Sequence, residues 1–270
     1  MRKNFILQAV FILLLLFPVS HTHAAGEADL SAGSEPALAS GKADEGPNGA
    51  EDDAWQEEKW EDEWEAADGL ADPLEPFNRF FFHFNDKLYF WVLKPVARVY
   101  SGFVPEEMQI AVRNFFDNLE APARAANSLL QGNVRGSASE VARFAINSTM
   151  GIIGFADFAR DSFGLQTSNE DLGQTFAHYG AGGGFYINWP FLGPSKLRDS
   201  LGMIGDGYVH PFIFLDVDSD VTIGIRAFEV VNSTALTLGD YELFVGTALD
   251  PYAAVKDAYQ QYRNGLIQNK

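Results

Sequence analysis

The sequence predicts a mainly α fold on three observations. Large apolar and aromatic residues recur at helical spacing over residues 77–93 and again over 108–119. Strand-like alternation is clear in one stretch, residues 184–192. No segment after residue 72 reaches about 18 consecutive uncharged apolar residues, the signature of a simple transmembrane helix. We therefore expect amphipathic, aromatic-rich helices with one short β-hairpin near residues 184–192.

The charge of the chain is unevenly distributed. It has 270 residues with 37 acidic and 19 basic side chains, a net charge of −18, and no cysteine. Residues 26–72 hold 16 of the acidic side chains and 2 lysines, whereas residues 73–270 hold 21 acidic and 15 basic ones. A nucleic-acid ligand is disfavoured, because phosphate binding of that kind needs clustered cations. The lack of cysteine excludes disulfides, thiolate metal sites and a cysteine nucleophile within this sequence.

Residues 1–25 have the order of a secretory signal peptide. A positively charged start precedes an apolar run of 15 residues, 5–19, and small residues end the stretch at Ala24 and Ala25. The run is shorter than the roughly 20 residues that a membrane-spanning helix needs. We predict cleavage after Ala24 or Ala25; the alternative is an uncleaved membrane anchor.

An acidic linker, residues 26–70, is predicted next. Its first part is dominated by small and acidic residues, which offer little apolar surface to offset the entropy of ordering, so disorder is expected. Trp55, Trp60 and Trp64 then follow at spacings of five and four, on roughly one side of a helix if one forms. This segment is either an acidic, aromatic docking element or a solvated tail; the sequence leaves both open.

A helical domain is predicted over residues 71–264, with a short tail at 265–270. The first helix, within 77–93, is apolar on nearly all faces, which is typical of a helix that is deeply buried or in lipid. Lys94-Pro95 should end or kink it, because the residue before a proline avoids helical dihedrals. Such helices suit a membrane-embedded ring or a protein lying in the membrane interface.

Local signals set the later helix boundaries. Pro122 is expected to interrupt the helix that starts after Pro105. Ser137 and Glu140 have the spacing of a capping box and predict a helix start at residue 137. Residues 219–236 and 250–264 are predicted to form the last helices.

Catalytic and metal-binding motifs are missing from the sequence. Three histidines occur beyond the signal, His83, His178 and His210, without a metal-ligand spacing. The glycine cluster 180–184 lacks the Lys-Ser/Thr of a phosphate loop, and the acidic triplet at 216–220 lacks the glycine and glutamate of a calcium loop. We therefore expect neither an enzyme nor a cofactor, and interpret the glycines as a tight turn or close backbone approach.

A series of ordered motifs between residues 70 and 264 resembles a known family. The most specific one is PFLGPSKLRD at residues 190–199. The others are residues 72–79, 84–86, 93–97, 114–122, 129–132, 143–151, 170–176, 250–252 and 257–259. These residues resemble the MlaA/VacJ family, the outer-membrane component of the system that maintains lipid asymmetry in Gram-negative bacteria.

The resemblance implies a mostly helical ring within the outer membrane, on its periplasmic side, around an amphipathic channel. Its implied function is phospholipid transport: mislocalised phospholipids leave the outer leaflet and pass to a soluble periplasmic carrier. Trimeric outer-membrane porins are the implied partners, and no cofactor is implied. The alternatives are a structural or surface-associated protein without lipid transfer, and a periplasmic lipid hydrolase.

One departure from the family pattern concerns the membrane anchor. Family members commonly carry a lipidated cysteine, and this sequence has none, so we expect an unlipidated protein held in the membrane by its aromatic helices or by a partner. The acidic Trp segment has no counterpart in the family pattern.

Polar residues on the first apolar helix and near the glycine cluster are the candidates for a channel or interface. A headgroup path needs polar groups, and polar groups in lipid should face water, headgroups or the channel. The candidate residues are Asn78, Arg79, Asn85, Asp86, Lys87, Gly182, Gly183, Gly184 and Tyr186.

Overall fold

A computed structural model describes residues 71–210 and 218–268. The predicted signal peptide with Ala24 and Ala25, the acidic linker with its three tryptophans, part of the 216–220 triplet, and residues 269–270 lie outside the described residues. The elements, in chain order, are α1 (Glu75–Leu88), a π-helical segment (Tyr89–Leu93), α2 (Lys94–Phe103), α3 (Glu106–Leu130), α4 (Val134–Thr149), α5 (Phe158–Phe163), α6 (Leu172–His178), β1 (Tyr186–Trp189), β2 (Gly193–Lys196), α7 (Leu197–Val209), α8 (Ser219–Leu236), α9 (Asp240–Thr247) and α10 (Pro251–Gln268). The predicted fold class, mainly α with one short hairpin, is confirmed.

The first helix begins close to its predicted start but does not end at the predicted place. Pro76 lies in the first turn of α1, where its missing N–H costs no hydrogen bond. The helix gives way to the π-helical segment at Tyr89, and α2 starts at Lys94 with Pro95 in its first turn. The helix end predicted at Lys94-Pro95 is therefore wrong: Lys94 has helical dihedrals, φ −58° and ψ −51°, and the departure from regular α-helix is the π-helical segment before it.

Two boundary predictions in the middle of the chain are wrong. Pro122 lies inside α3, which continues unbroken to Leu130. This long helix packs along α4, and that packing outweighs the loss of one intrahelical hydrogen bond. Helix α4 starts at Val134 and not at residue 137, because the Asn133 side chain caps it by accepting from the Gly136 N–H at 2.8 Å.

The hairpin is displaced towards the C-terminus relative to the prediction for residues 184–192. Strands β1 and β2 are antiparallel, with Tyr186 opposite Lys196 and Trp189 opposite Gly193. Residues 190–192 form the turn, where Phe191 has a φ of 68° and Gly193 one of 79°. The alternation in the sequence therefore marks the first strand and the turn, and the second strand lies beyond it.

Helices α6 and α7 cross at a glycine contact. A Cβ placed on Gly202 would lie 2.3 Å from the backbone N of Gly173, far closer than atoms can approach. The two backbones are thus in direct contact, and the charged side chains at the ends of both helices are brought close together.

Candidate functional site

The distribution of polar and apolar side chains is inverted relative to a soluble domain. Among the described residues, 24 polar or charged residues are buried, against 10 hydrophobic ones. Large apolar side chains are instead exposed, for example Phe103 at 85% and Trp91 at 74%. Soluble proteins rarely expose apolar surface to this extent, and they seldom bury charged groups unless these are paired.

Within residues 71–210 and 218–268, no helix combines the length and apolarity needed to cross a membrane.

The first polar cluster joins α1, the hairpin and α10. Asn78 is fully buried: its amide donates to the Tyr186 backbone oxygen at 3.1 Å and to Asp72 at 2.6 Å, and its oxygen accepts from the Asn188 N–H at 2.8 Å. The Tyr252 hydroxyl donates to the same Asp72 carboxylate. Burial, with the Asp72 carboxylate beside it, raises the pKa of Tyr252, so this phenol stays protonated and keeps donating.

The remaining candidates on α1 face several neighbours. Asn85 ties α1 to the hairpin turn: its amide donates to the Trp189 oxygen at 2.9 Å, and its oxygen accepts from the Phe191 N–H at 2.8 Å. Asp86 accepts from the Tyr241 hydroxyl at 3.0 Å.

Arg79 and Lys87 are the more accessible cations of this helix. Arg79 donates to Asp250 at 2.8 Å and to Glu75 at 2.6 Å, with 38% of its side chain exposed. Lys87 is exposed, with its ammonium 5.8 Å from the Trp91 ring centroid.

A second cluster, which the sequence reading did not single out, centres on Arg263 of α10. Its guanidinium donates to Asp199 of α7 at 3.0 and 3.1 Å, and to both carboxylate oxygens of Asp171 at the start of α6. The Tyr259 hydroxyl also donates to Asp199, at 2.7 Å. Burial alone would raise the pKa of Asp171, but Arg263 outweighs it and holds this pKa below its usual value.

Asp206 of α7 is a buried carboxyl without a cationic partner at contact distance among the described residues. Burial raises its pKa to about 7, although the Asn127 amide at 2.6 Å and the Leu172 N–H at 2.9 Å stabilise the charged form. Asp206 therefore changes its charge near neutral pH.

The glycine cluster covers a buried lysine. A Cβ on Gly183 would lie 2.8 Å from the Cδ of Lys196 and 3.5 Å from its Nζ, so the lysine stem crosses the backbone of this glycine. Lys196 is only 5% exposed, whereas Gly182 and Gly184 are exposed. Close backbone approach, one of the two readings of these glycines, fits Gly183.

The predicted candidates do not share one surface. Asn78, Asn85 and Tyr186 meet where α1 packs on the hairpin, and Asn78 and Tyr186 are 0% exposed, in the interior of the protein. Gly182, Gly183 and Gly184 lie together at the other end of β1, above Lys196. The sequence reading missed Lys196, Asp171 and Arg263, although the first two belong to the motifs at 190–199 and 170–176 that carry the resemblance.

In the part of the chain that the structure describes, no three His, Cys, Asp or Glu side chains are grouped as metal ligands. The carboxylates of Asp171 and Asp199 are instead bound to a guanidinium.

Comparison with known proteins places these features in a family. The model of a family described as MlaA lipoprotein matches residues 70–265. The intermembrane phospholipid transport system lipoprotein MlaA of Escherichia coli K12 is 34% identical over 204 residues, which are 74% of this chain and 80% of that protein. The protein of the same name from Haemophilus influenzae is 31% identical over 193 residues, 70% of this chain and 76% of that one.

Two further matches agree. An uncharacterized protein of Rickettsia bellii is 33% identical over 199 residues, covering 74% of this chain and 78% of its own. A solved structure from work on the structural basis for maintenance of bacterial outer membrane lipid asymmetry superposes with a TM-score of 0.64 at 31% identity, covering 73% of this chain and 99% of that one. On the family model and these relatives, the chain belongs to the MlaA family.

Proposed function

We propose that this protein takes part in intermembrane phospholipid transport, removing mislocalised phospholipids from the outer leaflet of the outer membrane and passing them to a soluble periplasmic carrier. Relatives at 31–34% identity are named as lipoproteins of an intermembrane phospholipid transport system, which supports the general function. The direction of transfer and the carrier are part of the proposal.

The inverted distribution of side chains is the observation that carries the proposal. A phospholipid combines a charged headgroup with apolar chains, so a protein that moves it past its own surface must offer both environments. Exposed apolar side chains such as Phe80 (64%), Val99 (61%) and Leu243 (70%) suit contact with acyl chains. Several buried charges, for example Glu140, Arg143 and Arg263, are paired, which suits a polar interior that stays intact in such surroundings.

Outer-membrane retention follows from the same surface. The exposed aromatic and aliphatic side chains of α1, the π-helical segment and α2 suit the membrane interface, where apolar area gives binding energy of about 25 cal/mol per Å². We place the protein at the periplasmic side of the outer membrane, beside porin trimers as partners. The ring arrangement and the predicted channel groups, in particular the accessible Arg79, Asn85, Asp86, Lys87 and the glycines, belong to this proposal.

A deletion strain tests the proposal. Phosphatidylethanolamine at the cell surface is labelled with a membrane-impermeant amine reagent, in the deletion strain, in the parent, and in the deletion strain with the gene restored. We expect increased surface label in the deletion strain alone. Unchanged label would contradict phospholipid removal and favour the structural, surface-associated alternative.

Fractionation of the restored strain tests the location. The protein should sediment with outer-membrane markers and stay there after a high-salt wash, because apolar contact does not weaken with salt. A purely soluble periplasmic pool would contradict the membrane part of the proposal.

A further inference from the structure

We propose that Lys196 and the glycine loop, residues 180–184, form a binding site for a phosphate group, that of a phospholipid headgroup. This inference rests on the proposed function for the source of the phosphate, but not for the site itself. Three observations carry it: a buried cation without a partner, a loop shaped around that cation, and local charge that a phosphodiester would balance.

The first observation is that Lys196 is buried and has no partner among the described residues. The residue is 95% removed from solvent, with 5% exposure, yet no described residue accepts a hydrogen bond from its ammonium or forms an ion pair with it. Every other buried cation in the described residues, for example Arg143, Arg226 and Arg263, contacts a carboxylate. The Nζ atom itself keeps some contact with solvent, so a ligand oxygen can reach it and would supply the acceptor that the described residues do not.

The loop over the lysine is the second observation. Glycine is the residue type that fits at position 183, above the lysine stem, since a Cβ there would lie 2.8 Å from the Lys196 Cδ. The N–H groups of Gly182, Gly183 and Gly184 donate no hydrogen bond to any described residue, while the Gly183 oxygen accepts from the Arg198 N–H at 3.1 Å. Free backbone N–H groups beside a cation are the donor set that anion-binding loops use.

The charge around the site is the third observation. Arg198 donates to the Ala181 oxygen of the loop at 3.3 Å and to Asp199 at 3.0 Å, and Arg263 shares Asp199 and Asp171. Arg198 and Arg263 are thus paired with carboxylates, and Lys196 is the cation of this group that has no carboxylate at contact distance among the described residues. Burial, together with the neighbouring arginines, lowers the pKa of Lys196, and Asp199 acts against this shift.

A phosphodiester fits this site better than a dianionic phosphate. It carries one negative charge, which would pair with the single Lys196 ammonium, and its two free oxygens can accept from the ammonium and from the loop N–H groups. Exposed apolar side chains adjoin the loop: Tyr179, directly before it in sequence, is 71% exposed, and Leu197, which a Cβ on Gly184 would meet at 2.9 Å, is 39% exposed. They offer a surface for acyl chains next to the headgroup, as a phospholipid requires.

Calorimetric titration of the full-length protein in a phosphate-free detergent tests the site. The probes are soluble dihexanoylphosphatidylglycerol, dihexanoylglycerol, which has no phosphate, and inorganic phosphate. The Lys196→Met variant keeps the length and the apolar stem of the side chain, and removes the charge. We expect it to weaken phosphatidylglycerol binding by roughly ten-fold or more, as for loss of a charge-assisted hydrogen bond, and to leave dihexanoylglycerol binding unchanged.

Two further variants keep the test independent of folding. Lys256→Met is the matched control, because Lys256 is a largely buried lysine 3.9 Å from Asp72 and no described hydrogen bond or ion pair joins it to the loop; its binding should equal that of the wild type. Gly183→Ala should weaken binding by displacing the lysine stem, and should have no further effect when Lys196→Met is already present. All variants are compared at a temperature where circular dichroism shows them folded.

The outcomes separate the site from the function. Equal phosphatidylglycerol binding by the wild type and Lys196→Met overturns the site, whatever the deletion strain shows. Lys196-dependent binding of inorganic phosphate without binding of phosphatidylglycerol overturns the lipid assignment. Lys196-dependent phosphatidylglycerol binding upholds the site even if surface labelling in the deletion strain contradicts the proposed function.

Discussion

Arg263 is the connection between three elements, and its loss should destabilise the protein strongly. Its guanidinium makes four hydrogen bonds to two carboxylates, Asp171 before α6 and Asp199 in α7, and is 6% exposed. Arg263→Met keeps most of the side-chain volume and leaves both carboxylates without this partner. Removing one member of a buried ion pair costs about 3–5 kcal/mol; Asp199 is buried and the Asp171 side chain is 32% exposed, so we expect a loss within that range.

The pH dependence of this effect distinguishes lost charge pairing from lost packing. Because Arg263 holds the pKa of Asp171 below its usual value, the stabilisation is present above the unfolded-state pKa of about 4 and is lost as the pH falls through the folded-state value. In Arg263→Met the Asp171 carboxyl can protonate at higher pH. The destabilisation should therefore be large at pH 7 and smaller at pH 4.

Thermal unfolding in detergent, followed by circular dichroism, measures this. At about 2–4 °C per kcal/mol for a domain of this size, Arg263→Met should lower Tm by roughly 10 °C or more at pH 7. Lys256→Met, which removes only a long contact of 3.9 Å to Asp72, should lower it by about 3 °C at most. A loss below about 3 °C for Arg263→Met, or an equal loss at pH 4 and pH 7, would refute the charge-pairing argument.

Three further predictions use the same unfolding assay. The stability of Asp206→Asn relative to the wild type should be higher at pH 8 than at pH 5. Because the folded-state pKa of Asp206 is raised to about 7, its contribution to stability is present below pH 4 and is lost as the pH rises to 7, by at most about 4 kcal/mol. A stability difference that does not change with pH would contradict this. Gly202→Ala should cost about 3 kcal/mol by forcing α6 and α7 apart, whereas Gly224→Ala, with no atom within 4 Å of its Cβ, should be neutral or stabilising; similar effects would refute the close crossing. Asn78→Ala should cost about 2–3 kcal/mol by leaving the Asn188 N–H and the Tyr186 oxygen unpaired, and a neutral result would show that these groups find other partners.

Local sequence signals predicted the helices whose boundaries are set by residues within or next to the helix itself. The helix at 219–236 has the predicted boundaries, and the one expected at 250–264 runs from Pro251 to Gln268. The predictions from Pro122 and Ser137 are wrong because other interactions prevail. Helix α3 packs on α4 and continues through Pro122, and Asn133 caps α4 ahead of Ser137. Glu140, expected to cap, is buried and accepts from Arg124 at 2.9 Å and the Ser168 N–H at 2.6 Å.

The polar clusters could not be predicted in the same way, because their partners are distant in sequence. Arg263 and Asp171 are 92 residues apart, and Asn78 and Asn188 are 110 apart. A glycine run and a lysine some 13 positions later carry no local sign that one covers the other. The ordered motifs did identify the family. Several of these partner residues belong to the motifs, but the motifs do not show which residues are in contact.

Transfer of phospholipid in a purified system tests the central claim most directly. The protein is reconstituted into liposomes whose outer leaflet carries a fluorescent phosphatidylglycerol, and the soluble carrier from the same organism is added and then separated by flotation. Phospholipid transport predicts label in the carrier fraction well above that from protein-free liposomes. Label at the protein-free level, with the protein confirmed as folded and inserted, would contradict it.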